Sequence, residues 1–185
     1  MEFYDRIARY RMSRRAEMQD ILQQVAEGKK QMPPWATRLD PKSGLPVKDN
    51  IIRMGDECER DFKKLQELRQ KHPNCPNVHN PPDEGCGVHF KVLHAGLAGD
   101  TKDGGLWKKA RKQSIEEWRT KGYKVPDDDK VNHMTPADAG GCPYSGRNLV
   151  PDAVLKNECK EIEDTQTRIQ NMLPPKNDER TKVFG

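Results

Sequence analysis

Apolar side chains recur at three- and four-residue steps over four stretches of this chain, and polar runs rich in Pro and Gly separate them. The first stretch runs from about Phe3 to Glu27, with Phe3, Ile7, Tyr10, Met18, Ile21, Leu22 and Val25 in one stripe. Gly28 and the two lysines after it read as a helix stop. Arg14 falls inside the stripe, so its stem must snorkel or the stripe must cross two partners there. A second helix is expected from Asp49 or Asn50, either able to cap free N–H groups, to His72 before Pro73. It places Ile51, Met54, Cys58, Phe62, Leu65 and Leu68 on one face. A third, from about Gly105 to Lys121, aligns Trp107, Ala110, Ser114 and Trp118, with Gly122 just beyond. The fourth is expected directly after Pro151, with Leu155, Cys159, Ile162, Gln166, Ile169 and Leu173 on one side until the prolines at 174 and 175.

Period-two alternation is scarce; "GVHFKVLHAG", residues 87–96, is the one segment that reads as a strand. The expected class is therefore mainly α, about four amphipathic helices joined by long extended Pro/Gly-rich loops, non-globular and ordered by partners. The organisation is an N-terminal amphipathic helix over 1–31, an extended linker over 32–48, a helix over 49–72 and a Cys/His-rich Pro/Gly loop over 73–104. A Trp-containing helix over 105–121, an extended loop over 122–150, a helix over 151–173 and a C-terminal tail over 174–185 complete it. Structureless connections longer than about 12–15 residues are uncommon inside compact domains unless they are functional, disordered or laid on another surface. The two longest loops carry isolated apolar groups among their prolines and glycines: Trp35, Leu39 and Leu45 in one, Tyr123, Val125, Met134 and Tyr144 in the other. That spacing suits ribbons whose side chains fill pockets on a partner while Pro limits the entropy lost on ordering.

Composition sharpens the expectation of partners. Hydrophobic residues are 33% and charged residues 34% of the 185, and Leu, Ile, Val and Phe together come to about 17%, below the level where a chain buries an ordinary core. Net charge is only +4, from 33 basic and 29 acidic side chains, so self-repulsion does not force disorder. No apolar run reaches the 18 or more residues of a membrane span, and no secretory h-region follows Met1. Arg6, Arg9, Arg11, Arg14 and Arg15 lie on an amphipathic pattern similar to a mitochondrial presequence, although Glu2 and Asp5 are acids that such peptides avoid.

The stretch "HPNCPNVHNPPDEGCGVHF", residues 72–90, holds three of the five histidines and two of the five cysteines. Cys75, His79, Cys86 and His89 have the types zinc takes at tetrahedral corners, spaced C-x3-H-x6-C-x2-H, of which only the x2 gap is a standard knuckle. Two disulfides are the rival reading: Cys75 with Cys86 across a short loop, and Cys58 with Cys159 between the apolar stripes of the second and fourth helices. Helix pairing would suit an oxidising space such as that between the mitochondrial membranes, but the twin C-x9-C spacing of the small helical hairpins found there is absent. Free thiols in a reducing compartment are the simplest case.

A Cys–His dyad from Cys75, Cys86 or Cys142 with His79, His89 or His133 lacks any context that activates a thiol, and there is no P-loop, dinucleotide fingerprint or metalloprotease helix. The chain is expected not to be an enzyme, to hold no cofactor unless it is zinc, and to take no small-molecule substrate. "WKKARKQ", residues 107–113, and the N-terminal arginines are basic patches with aromatics nearby, but interleaved acids make nucleic acid the lesser partner. The expected function is a non-catalytic accessory subunit that stabilises a large multi-protein assembly, foremost a mitochondrial respiratory-chain complex, peripheral to the inner membrane. Trp35, Trp107, Trp118 and Phe184 are its expected interface residues, since buried aromatics dominate contact energies. Alternatives are a ciliary or axonemal microtubule-associated protein, a zinc-stabilised binding module, and a peripheral ribosome-associated RNA-binding protein.

Overall fold

The computed structural model describes residues 3–78, 105–134, 142 and 144–174. Among these the chain is mainly helical, in the order α1 (Phe3–Ala26), α2 (Pro34–Thr37), α3 (Val47–Lys71), α4 (Leu106–Thr120), β1 (Val131–His133), a 3-10 turn (Gly146–Asn148), β2 (Leu149–Pro151) and α5 (Glu158–Asn171). No described helix is long and apolar enough to cross a membrane. The chain divides into two compact units, Met1–Glu67 with Asp164–Gly185, and Leu68–Glu163. The segment 87–96, read as a strand, and Phe184 lie outside the described residues.

In the first unit α1, most of α3 and the end of α5 come together. The α1 stripe is buried at Phe3, Tyr4, Ile7, Ala8, Tyr10, Arg11 and Met18; beyond Met18 it is only half-buried at Ile21, Leu22 and Val25. Arg14 resolves its place on the stripe by snorkelling to Glu17 at 2.8 Å. On α3 the buried line passes through Gly55, Cys58, Asp61 and Leu65, the three- and four-residue spacing expected of a helix face. A Cβ on Gly55 would sit 2.6 Å from Arg15 Cβ and 3.1 Å from the Arg11 carbonyl. Glycine in a helix interior costs about 1 kcal/mol relative to alanine, and here it is what lets α1 and α3 approach. Arg15 then reaches over α3 to Asp56 at 2.6 Å and Glu59 at 2.7 Å.

Arg11, itself buried, donates from Nε to the Met172 carbonyl at 2.5 Å, satisfying an acceptor that the end of α5 leaves open. The buried Asp61 carboxylate lies 3.4 Å from Arg168 of α5. Asp61 stands on the same face as Cys58 and Leu65, and its guanidinium partner makes that burial tolerable.

The second unit packs α4 on a two-stranded hairpin. Antiparallel β1 and β2 pair Val131 with Pro151, Asn132 with Val150 and His133 with Leu149. The ladder is extended at one end by the Met134 N–H on the Asn148 carbonyl and at the other by the Asp152 N–H on the Lys130 carbonyl, both 2.8 Å. Ala110, Ile115 and Trp118 of α4 form one core with Val125, Val131, Met134, Leu149, Val150, Val154 and Leu155. Ser114 Oγ and Trp118 Nε1 both donate to the Leu149 carbonyl, at 3.0 and 3.1 Å. The helix stops where the sequence expects. Gly122 adopts φ 93°, its N–H bonds the Arg119 carbonyl, and the next N–H bonds that of Trp118, a Schellman closure that a side chain at position 122 would strain.

Three expectations change here. The 122–150 connection is no ribbon where it is described: Val125, Met134, Leu149 and Val150 are buried in the unit's own core. The fourth helix begins at Glu158 rather than after Pro151, because Pro151 closes β2 and the chain turns through 152–157, with Asn157 at φ 53°. Residues 32–48 contain a helical turn and a tight reversal instead of an extended linker.

Replacing Gly55 with alanine should destabilise the first unit by about 1–3 kcal/mol, the usual range for overpacking, despite alanine's better helix propensity. Urea unfolding of the variant against wild type checks this; an unchanged or higher midpoint would contradict the close approach.

Candidate functional site

Two stretches present chemistry outward. In the first unit, Pro34 opens α2 at a position where a missing N–H costs nothing, and Thr37 Oγ1 closes the turn on the Pro34 carbonyl at 3.1 Å. The chain then reverses. Leu39 bridges Pro46, the Asp40 N–H meets the Leu45 carbonyl and the Val47 N–H meets that of Arg38, each bond 2.8 Å. The Asp40 carboxylate binds the Lys42 and Ser43 N–H groups at 2.7 and 3.1 Å and the Asn50 amide at 3.0 Å. These bonds hold its carboxyl below the ordinary aspartate range, the Ser43 N–H contributing most.

With Ala36 buried as the anchor, Trp35 is left 38% exposed, Leu39 67% and Leu45 37%. Tyr123 is the fourth exposed large hydrophobic among the described residues. Trp35, Leu39 and Leu45 thus lie within eleven residues of one short, internally bonded segment.

In the second unit Trp107 and Arg111, one turn apart on α4, face residues 127–131 across an open groove of about 670 Å³. Arg111 donates to the carbonyls of Asp127 and Asp129, each at 2.7 Å, which fastens the loop to the helix. Arg119 does the same for the Val125 carbonyl and pairs with the Asp127 carboxylate at 2.7 Å. That hydrogen bond lowers the Asp127 pKa and raises that of Arg119. Asp129 is spent on the Ala153 N–H at 2.8 Å. The His133 ring lies 5.6 Å from that of Trp107, tilted by 34°. Lys108, Lys109, Lys112 and Lys130 are exposed, and no ion pair among the described residues engages them.

The cysteines are rearranged relative to expectation. Cys75 is bonded to Cys159, with 5.4 Å between their Cα atoms. Neither Cys75–Cys86 nor Cys58–Cys159 forms, because each needs a sulfur that this bond has taken. Cys58 is instead a buried free thiol, and burial pushes its pKa up to about 12, so it is no nucleophile near neutrality. Cys142 is also disulfide-bonded, which removes Cys75 and Cys142 from any Cys–His dyad. The zinc set as drawn loses Cys75; its other members, His79, Cys86 and His89, lie outside the described residues.

Of the expected interface residues, Trp35 is exposed, Trp107 is half-buried beside the groove, and Trp118 is in the core with its indole N–H satisfied. Trp118 is therefore no surface anchor. Sequence reasoning missed the groove and His133's place beside it. The available signal was the four-residue spacing of Trp107 and Arg111, but nothing local says which loop they face.

Because the Asp40 carboxyl titrates lower folded than unfolded, its support for the 38–47 reversal is complete above the ordinary aspartate value of 3.8 and is lost as pH falls through the lower folded value. Loss of amide protection at Lys42 and Ser43 should set in only in that acid window, and Asp40→Asn should remove this acid transition; protection that ignores both would refute the turn's dependence on this carboxylate. Comparison with known proteins adds no assignment: no protein-family model, no curated protein and no solved structure matches this chain.

Proposed function

We propose that this chain is a non-catalytic accessory subunit that docks on a protein partner through the 34–46 segment and works in an oxidising compartment. The observation that carries the reading is the exposure of Trp35, Leu39 and Leu45 on a segment already ordered by its own hydrogen bonds. A pre-formed apolar surface loses little entropy on docking, and aromatic and aliphatic anchors supply most of the contact energy. The Cys75–Cys159 disulfide supports the compartment. It fits the space between the mitochondrial membranes, and so the respiratory-complex form of this reading, better than the reducing cytosol of a cilium. In the native source the chain should elute from gel filtration with a particle far larger than its own 21.2 kDa. A Trp35→Ala, Leu39→Ser variant should shift at least tenfold toward the free chain. Wild-type elution at its own mass, or a variant still fully in the particle, contradicts the proposal.

A second reading has its own observation: Lys108, Lys109 and Lys112 are exposed on the helix that carries Trp107, and Lys130 lines the groove opposite, beside Asp127 to Asp129, with none of the four lysines in an ion pair among the described residues. An indole for base stacking beside cations for phosphates is the recipe for single-stranded nucleic acid. On this reading a labelled oligothymidylate binds with log affinity falling by about 0.7 per neutralised phosphate for each tenfold rise in salt. Lys108→Glu with Lys112→Glu should then abolish binding; no binding at low salt, or binding indifferent to these changes, rules it out.

A further inference from the structure

Three contacts converge where the turn after α3 meets the first turn of α5. They are the Cys75–Cys159 bond, the Asn77 Nδ2 donor on the Cys159 carbonyl at 2.9 Å, and His72 Nδ1 at 3.9 Å from a Glu158 carboxylate oxygen. Of the three, only the disulfide is covalent. We infer that the Cys75–Cys159 bond is a redox clasp, opened by an external dithiol that attacks the sulfur of Cys159, which frees the 72–78 turn from α5 while the hairpin core stays folded. The inference goes beyond partner docking and does not depend on it.

Geometry chooses the point of attack. Cys75 is buried at 8% exposure, whereas Cys159 is half-buried at the edge of the α4 and hairpin core. A reductant thiolate therefore forms a mixed disulfide with Cys159 and expels Cys75 as a thiolate, which takes a proton from water. The second thiol of the reductant then displaces Cys159 as a thiol. Two electrons pass from the dithiol to the protein, and a disulfide-bearing oxidant takes them back when the clasp closes. After opening, one hydrogen bond and one long ion contact remain of the three. The hairpin core does not need the bond: Ser114 and Trp118 hold the Leu149 carbonyl, and Arg111 and Arg119 hold residues 125–129, without it. Nor does Cys58 scramble the pairing, since its own thiol is fully buried and scarcely ionised near neutrality.

The test uses the native full-length protein, graded dithiothreitol, alkylation of free thiols, and mass spectrometry read at each cysteine. Cys75 and Cys159 should be labelled at reductant concentrations that leave Cys58 unlabelled and the near-ultraviolet tryptophan signal unchanged, while tryptic cleavage after Lys71 rises at least fivefold. Labelling of Cys75 and Cys159 only in step with Cys58 or with loss of the tryptophan signal overturns the clasp, because the bond then opens only on unfolding. A Cys75→Ser, Cys159→Ser variant provides the second arm: cleavage after Lys71 without reductant should match reduced wild type, and cleavage equal to oxidised wild type overturns it too.

Discussion

Backbone carbonyls in irregular segments are the constraint on which this structure depends, and side-chain donors meet it. A buried carbonyl without a partner costs as much as a lost hydrogen bond, and a chain with only two three-residue strands among its described residues has few ladders to use. Ser114 and Trp118 share the Leu149 carbonyl, Arg111 takes those of Asp127 and Asp129, Arg119 takes that of Val125, and Asn148 takes that of Cys142. In the first unit Arg11 does the same for Met172. The high proportion of polar residues that makes a large core impossible is thus what allows long connections to be folded down at all. Each guanidinium fork stands in for a strand.

Two small cores result, and the first tolerates buried charge by pairing it. Arg11 and Asp61 are both buried in the first unit, one on a carbonyl and the other beside Arg168. Breaking such a pair by removing one partner is costlier than never having it, because the survivor is left without solvent or counter-charge. The free thiol of Cys58 sits among them as a small apolar group. In the second unit the disulfide closes a loop between residues 84 apart in sequence, a long closure that restricts the unfolded chain heavily on the entropic account.

The surfaces left over differ in kind. The first unit offers apolar side chains on a segment whose backbone is already satisfied. The second offers an indole beside Lys130 and the exposed Asp128, with Asp127 committed to Arg119 and Asp129 to the Ala153 N–H. Trp35 and Leu39 keep 38% and 67% of their surface in water, and the chain forgoes that share of the burial energy there.

Sequence by itself determined the apolar stripes of the four long helices, though not the α2 turn or the point where α5 begins. The stripes through Ile7 and Met18, through Cys58 and Leu65, through Ala110 and Trp118, and through Ile162 and Ile169 follow from the 3.6-residue repeat, and the stops at Gly28 and Gly122 from glycine's freedom at positive φ. The absence of a span long and apolar enough for a membrane among the described helices was legible in the same way. What only tertiary structure decided is where the connections go and which sulfurs meet. Val131 to His133 and Leu149 to Pro151 are too short to show alternation and become strands only because α4 gives them a surface to pack on. Cys159 lies on a helical stripe, as expected, but its partner is set by how the turn after α3 folds back, not by spacing. Trp118 is core and Trp35 is surface although both are indoles in polar surroundings: one has the Leu149 carbonyl within reach of its N–H, and the other sits on a turn anchored by Ala36 instead. Local periodicity is a property of the chain, whereas partners across dozens of residues depend on packing that no short window of sequence contains.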